Sequence, residues 1–293
     1  MKNILTNGIA VMLSALVAFG CGGGAKKKES AEADGSGKQV VTEKGSDTMV
    51  LLAQAWAEAF GSKHADIQVQ VTGGGSGTGI AALIGGTTDI ANASRPMSPE
   101  ERAQIKQKFG SDVLEIPVAK DGIGIYVNPD NPVQSLTTEQ LRGIYSGTIT
   151  DWKDVGGKPG AIILYGRENS SGTYVFFKEH VLNKGDFAKN TQALPGTAAI
   201  VNSVSKDKAG IGYGGEAYAK GVKVLGIAGA DGKAVTLSEE TVRSGAYPLS
   251  RSLFFYLRQA PSGGVKTYLD WVLSPEGQAV VKKAGYYPIA AGA

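Results

Sequence analysis

The stretch Ile67-Gln68-Val69-Gln70-Val71-Thr72-Gly73-Gly74-Gly75-Ser76-Gly77-Thr78-Gly79-Ile80-Ala81-Ala82-Leu83-Ile84 decides the fold class. Ile67–Val71 reads as a strand and Ile80–Ile84 as a helix. Between them lies a turn of glycine and hydroxyl residues. A strand that feeds a helix through such a turn is the building unit of an α/β protein. The unit recurs on both sides. Val113–Val118 and Ile123–Val127 are predicted as two strands joined by Lys120-Asp121-Gly122, and Ala161–Tyr165 and Ser252–Leu257 as two more. Between the strands, apolar residues recur at helical spacing. One set is Leu51, Leu52, Ala55, Trp56, Ala59 and Phe60, and another is Leu141, Ile144 and Tyr145. Tyr174, Phe177 and Val181 form a third, and Leu269, Val272 and Leu273 a fourth. The alternation implies α/β architecture with largely parallel sheets, and no internal repeat is evident.

Bulk properties narrow the function classes. The chain has 293 residues, enough for one large domain or two medium ones. Its net charge of +3 is too small for the concentrated basic face of a nucleic-acid binder. One cysteine, Cys21, excludes an internal disulfide, and with only His64 and His180 beside it a Cys/His zinc site is excluded too. Both histidines are expected to be plain surface residues. No cofactor is implied.

The N-terminus reads as an address. An apolar run from Ile9 to Phe19 is too short to span a bilayer and has the length of a signal-peptide core. Gly20-Cys21 follows, so residues 1–20 are expected to be a lipoprotein signal peptide and Cys21 the lipidated residue. Ala18 stands where a lipobox usually carries Leu. Residues 21–39 are almost free of apolar side chains and read as a flexible tether. An exported protein is expected, held by lipid at the outer face of a membrane or in the periplasm.

In open α/β sheets, ligands bind beyond the carboxyl ends of strands, near helix N-termini. Four turns there suit an anion. They are Gly45-Ser46-Asp47-Thr48, the run Gly73–Gly79 containing Ser76, Asn92-Ala93-Ser94-Arg95-Pro96, and Arg167-Glu168-Asn169-Ser170-Ser171-Gly172-Thr173. Backbone N–H groups and the helix dipole favour negative charge at a helix entrance. Glycine lets the backbone come close, and Arg95 and Arg167 add forks that match a tetrahedral oxyanion. Taken singly, each Ser or Thr also fits a plain helix N-cap. The glycine run is not a P-loop, because no Gly-Lys-Ser/Thr follows it. Nor does it fit the dinucleotide pattern.

With these residues in view, the chain from about residue 40 to 293 resembles the PstS-type phosphate-binding proteins of bacterial ABC transporters. The family-like stretches are Gly45–Phe60, Thr72–Pro96, Asp121–Asn128, Leu136–Asp154, Gly166–Phe177 and Gly210–Lys220. The resemblance implies a two-lobed periplasmic-binding-protein fold (type II) with ligand in the interlobe cleft. Lobe 1 would comprise 40–120 and 250–293, lobe 2 would comprise 121–249, and the crossings would lie near Lys120-Asp121 and Pro248–Arg251. It implies ligand-binding roles for Ser46, Asp47, Thr48, Ser76, Ser94, Arg95, Arg167, Ser171, Gly172 and Thr173. Ser94 stands where some relatives have an aspartate that accepts the proton of phosphate and repels sulfate. Asp47 would take over that role, or the site would discriminate less, or two arginines would hold the dianion. Asn169 stands where an aspartate often pairs with the arginine, and Glu168 is an alternative partner.

The implied function is capture of inorganic phosphate, at micromolar affinity or tighter, and its delivery to the permease of an ABC transporter by a monomeric protein. The alternatives are a receptor for sulfate, molybdate or an organic phosphate, and a phosphate-sensing or adhesive surface protein. An enzyme is not expected. There is no metal-ligand cluster, and no Gly-x-Ser-x-Gly elbow surrounds Ser76 or Ser171.

Overall fold

The computed structural model describes residues 37–228 and 232–289, all within the compact unit Glu32–Ala293. The expected signal segment 1–20, Cys21 and the tether up to residue 36 lie outside the described residues. In chain order the elements are β1 (Gln39–Gly45), α1 (Val50–Gly61), β2 (Ile67–Thr72), α2 (Ser76–Gly85), β3 (Ile90–Ala93), α3 (Pro99–Phe109) and β4 (Leu114–Val127). There follow β5 (Ser135–Thr137), α4 (Thr138–Ser146), β6 (Ile163–Arg167), α5 (Gly172–His180), β7 (Gln192–Leu194), α6 (Gly196–Lys206) and β8 (Gly210–Gly215). The chain continues through β9 (Lys223–Ala228), β10 (Ala234–Val235), α7 (Glu239–Arg243), β11 (Ser250–Leu257), α8 (Gly263–Leu273) and α9 (Pro275–Lys283).

Strand neighbours run β2-β1-β3-β11-β4-β8-β6-β7, with β9 also on β4 and with β5 and β10 on β9. The ends of this path are parallel, as the alternation of strands and helices predicts: β1 pairs parallel with β2 and β3, and β6 with β7 and β8. The middle is antiparallel. There β11 lies between β3 and β4, and β4 pairs with β8 and β9.

That middle corrects one expectation. Lys120-Asp121-Gly122 does not break the chain into two strands; β4 runs unbroken for 14 residues. The reason lies across the ladder. Ser252, Arg251 and Ser250 of β11 pair with Lys120, Asp121 and Gly122, so the polar residues stay extended and the Asp121 charge meets an arginine.

The core divides at the same point of β4. Val118 and Ala119 belong to a cluster with Trp56, Phe60, Phe255, Tyr268 and Trp271. Ile123, Ile125 and Val127 belong to another, with Tyr145, Trp152, Phe177 and Tyr213. Helix α1 shows how the first is built. Leu52, Ala53, Trp56 and Phe60 are buried at helical spacing, whereas Leu51 is left exposed. Each such large side chain contributes about 1.5–3 kcal/mol through burial. The Trp56 indole N–H is also satisfied, donating to the Gly277 carbonyl at 2.8 Å.

Candidate anion-binding site

The four turns meet. Helices α1, α2 and α5 all begin at one place, with Thr48 just before α1, Ser76 opening α2 and Thr173 in the first turn of α5. The hydroxyls of Ser46, Thr48, Ser76, Ser94 and Thr173 are all essentially fully buried. Ser46 donates to Ser94 Oγ at 2.9 Å, and Ser76 and Ser94 share a hydrogen bond at 3.3 Å. The hydroxyls of Thr48 and Thr173 pair at 2.8 Å, although 125 positions separate them. Ser171 is buried too, and its Oγ caps α5 by accepting from the Tyr174 N–H at 3.3 Å.

Glycine lets the turns approach this closely. At Gly172 a Cβ would lie 2.3 Å from Ser76 Oγ and 2.7 Å from Ser94 Oγ. At Gly75, where φ is +94°, a Cβ would lie 2.6 Å from the Ser170 carbonyl oxygen. Two residues further on, inside α2, the Gly77 N–H donates to that carbonyl at 2.9 Å, joining the second turn to the fourth.

Two ion pairs flank the hydroxyls, one partly and one fully buried. Arg167 Nη2 donates to Asp47 Oδ2 at 2.9 Å and Nη1 to Thr197 Oγ1 at 2.9 Å. Its Nε is buried with no partner in the protein. Burial lowers the Arg167 pKa, and the Asp47 charge opposes that shift. Asp47 Oδ1 accepts from the Gly74 N–H at 2.8 Å, so both of its oxygens are engaged. The second pair joins Arg251 to Asp121 at 2.8 Å. Burial pushes the Asp121 carboxyl up, and Arg251 pulls it back.

Of the residues singled out from the sequence, Arg95 is the one that does not join the cluster. Its guanidinium forks onto Glu101 at 2.8 and 2.7 Å and donates to the Pro96 carbonyl. Glu101 is fixed there by the capping box it forms with Ser98 at the start of α3. Neither Glu168 nor Asn169 pairs with Arg167; Asp47 does.

Sequence reasoning missed Arg251, Thr197, Tyr218 and Tyr286. Tyr218 Oη donates to the Asp47 carbonyl at 2.7 Å, and Tyr286 Oη donates to the Thr48 carbonyl, so both hold the first turn from behind. His64 stacks on Phe60 and His180 on Phe176. Among the described residues no group of three or more His, Cys, Asp or Glu side chains is placed to hold a metal.

Residues 30–276 match the model of the PBP superfamily domain. The phosphate-binding protein PstS of Pseudomonas aeruginosa is 38% identical over 267 residues, covering 84% of this chain and 82% of that protein. The chain belongs to the PstS family. The Staphylococcus saprophyticus PstS is 34% identical, over 98% of this chain and 90% of its own. Solved PstS-like structures share the fold. A Clostridium perfringens protein described as a phosphate ABC transporter substrate-binding protein, with phosphate bound, superposes with a TM-score of 0.78 at 31% identity, covering 85% of this chain and 99% of its own. An ABC-type phosphate transport receptor from Vibrio cholerae superposes with a TM-score of 0.69 at 28% identity, covering 85% and 100%. The PstS family comprises substrate-binding transport proteins, not enzymes.

Proposed function

We propose that this protein captures inorganic phosphate outside the cytoplasm and delivers it to an ABC transporter. One observation carries the reading. Four turns from distant parts of the chain bring five hydroxyls into a single buried cluster flanked by two arginines, and three helices start there. Small donors, helix N-termini and cations are what a small tetrahedral anion needs. Ser46, Asp47, Thr48, Ser76, Ser94, Arg167, Ser171, Gly172 and Thr173 are the proposed binding residues. Arg95 is left out, because its hydrogen bonds go to Glu101 and the Pro96 carbonyl and none reaches the cluster.

Lobe 1 (40–120 and 250–293) and lobe 2 (121–249) are the proposed halves of the cleft. The change of core along β4 at Lys120–Gly122 supports that division. A signal peptide over 1–20, lipid on Cys21 and a monomeric state complete the reading, on the strength of the sequence.

Hydrogen bonds to charged groups contribute about 1.5–3 kcal/mol each, and micromolar binding needs about 8 kcal/mol net. The donor set therefore supports micromolar affinity or tighter. A second reading, as a broader oxyanion receptor, is favoured by one detail: position 94 offers a hydroxyl, and Asp47 is already engaged by Arg167 and Gly74.

Thermal unfolding with added phosphate or sulfate tests both readings. Phosphate in excess of its Kd should raise Tm, since ligand bound only to the folded state stabilises it by mass action. Equal stabilisation by sulfate would favour the broader receptor. Stabilisation by neither would contradict both.

A further inference from the structure

Arg251 lies on β11 directly opposite Asp121 on β4, with its side chain 3% exposed. Its Nε and Nη2 both donate to Asp121 Oδ2, at 3.1 and 2.8 Å. Its Nη1 donates to the Ser94 carbonyl at 3.0 Å. Its Nη2 also reaches Thr48 Oγ1 at 3.3 Å and Thr173 Oγ1 at 3.1 Å. The guanidinium sits 5.6 Å from the centre of the Phe176 ring. One side chain thus touches the first, third and fourth turns.

A guanidinium only donates. Thr48 and Thr173 must therefore accept from Arg251 with their lone pairs, which turns their hydroxyl hydrogens away from it. One of those two hydrogens closes the Thr48–Thr173 bond. The other is left to donate elsewhere. The backbone treats Ser76 in the same way, since the Ser94 N–H donates to Ser76 Oγ at 3.0 Å.

We propose that Arg251 is a positioning residue for anion capture: clamped by Asp121, it gathers three turns and polarises the threonine hydroxyls into donors. The inference rests on the phosphate-binding reading above. Asp121 supplies the counter-charge that holds the guanidinium in place without adding a free acceptor to the cluster.

A purely structural ion pair makes a different forecast. Deleting one partner of a buried pair is costly, whereas removing both charges together is often nearly neutral. The test uses the purified full-length chain in mild detergent, freed of bound anion. It measures Tm and inorganic phosphate affinity for Arg251→Met, for Arg251→Met with Asp121→Asn, and for Arg251→Lys. Arg251→Met should lose both stability and affinity. The double variant should regain most of the Tm yet bind phosphate at least about tenfold more weakly than the unaltered chain. Arg251→Lys keeps the charge beside Asp121 but cannot span three turns, so it should stay folded and show a similar loss. Wild-type affinity in the double variant, or in Arg251→Lys, would overturn the positioning role while leaving the functional reading intact. Failure of the unaltered chain to bind phosphate would overturn that reading, and the inference with it.

Discussion

Asp47 and Arg167 stand 120 positions apart in the chain, yet their side chains meet at 2.9 Å beside the buried hydroxyls. The contact ties the first turn to the fourth. Arg167 spends one arm on Asp47 and the other on Thr197, so its fork has a fixed direction. A lysine offers a point charge on a flexible stem instead. Arg167→Lys should weaken phosphate binding about ten- to hundredfold, as read by titration. Asp47→Ala leaves the arginine short of its counter-charge. Because Asp47 keeps 22% of its side chain exposed, the expected stability loss is about 1–3 kcal/mol, below that for a fully buried pair.

Gly172 gives the sharpest steric prediction. A methyl group there would overlap the Ser76 and Ser94 hydroxyls, which α2 and β3 hold in place. Gly172→Ala should therefore push the fourth turn off the cluster and lower phosphate affinity at least about tenfold. Stability should fall as well, by about 1–3 kcal/mol, because the methyl overpacks a fully buried hydroxyl cluster.

Arg95→Ala is the matched control. The residue stands beside Ser94, but its guanidinium belongs to Glu101. The substitution should leave phosphate affinity unchanged. It should cost about 1–2 kcal/mol for the lost charge-assisted bonds, seen as a Tm fall of a few degrees.

Glu43 gives a pH prediction. It is buried on β1 and accepts hydrogen bonds from Asn92 at 2.7 Å and Tyr268 at 3.0 Å. Burial pushes its pKa up from 4.5 to about 7, against the pull of those two bonds. The folded state then binds the proton more tightly than the unfolded one. The stability this contributes is complete below the unfolded pKa of 4.5 and is lost as pH rises through about 7. Glu43→Gln should remove the dependence. The stability of the variant relative to the unaltered chain should climb between those limits by up to about 3 kcal/mol, measured by denaturant unfolding across pH.

The turns of the candidate site were legible because Gly, Ser and Thr at a helix entrance carry a local signal. The gathering of those turns was not, because it depends on pairs such as Thr48–Thr173 that no spacing reveals. Arg251 escaped notice for the same reason. An arginine inside the apolar run of β11 has no local partner, and Asp121 lies 130 positions away. An arginine next to a serine in a turn looks like an anion fork, but Arg95 turns to Glu101. The competing signal was Ser98-x-x-Glu101, which sets a carboxylate within its reach. Lys120-Asp121-Gly122 reads as a turn by composition. It becomes a strand only because β11 pairs with it and neutralises its charge.

Isothermal titration of inorganic phosphate into the ligand-free full-length chain decides whether the buried hydroxyl cluster is a phosphate site. One site per chain is expected, with a Kd of about micromolar or below, weakened in Arg167→Lys and Gly172→Ala and unchanged in Arg95→Ala. A chain shown to be folded that takes up no phosphate would contradict the phosphate reading.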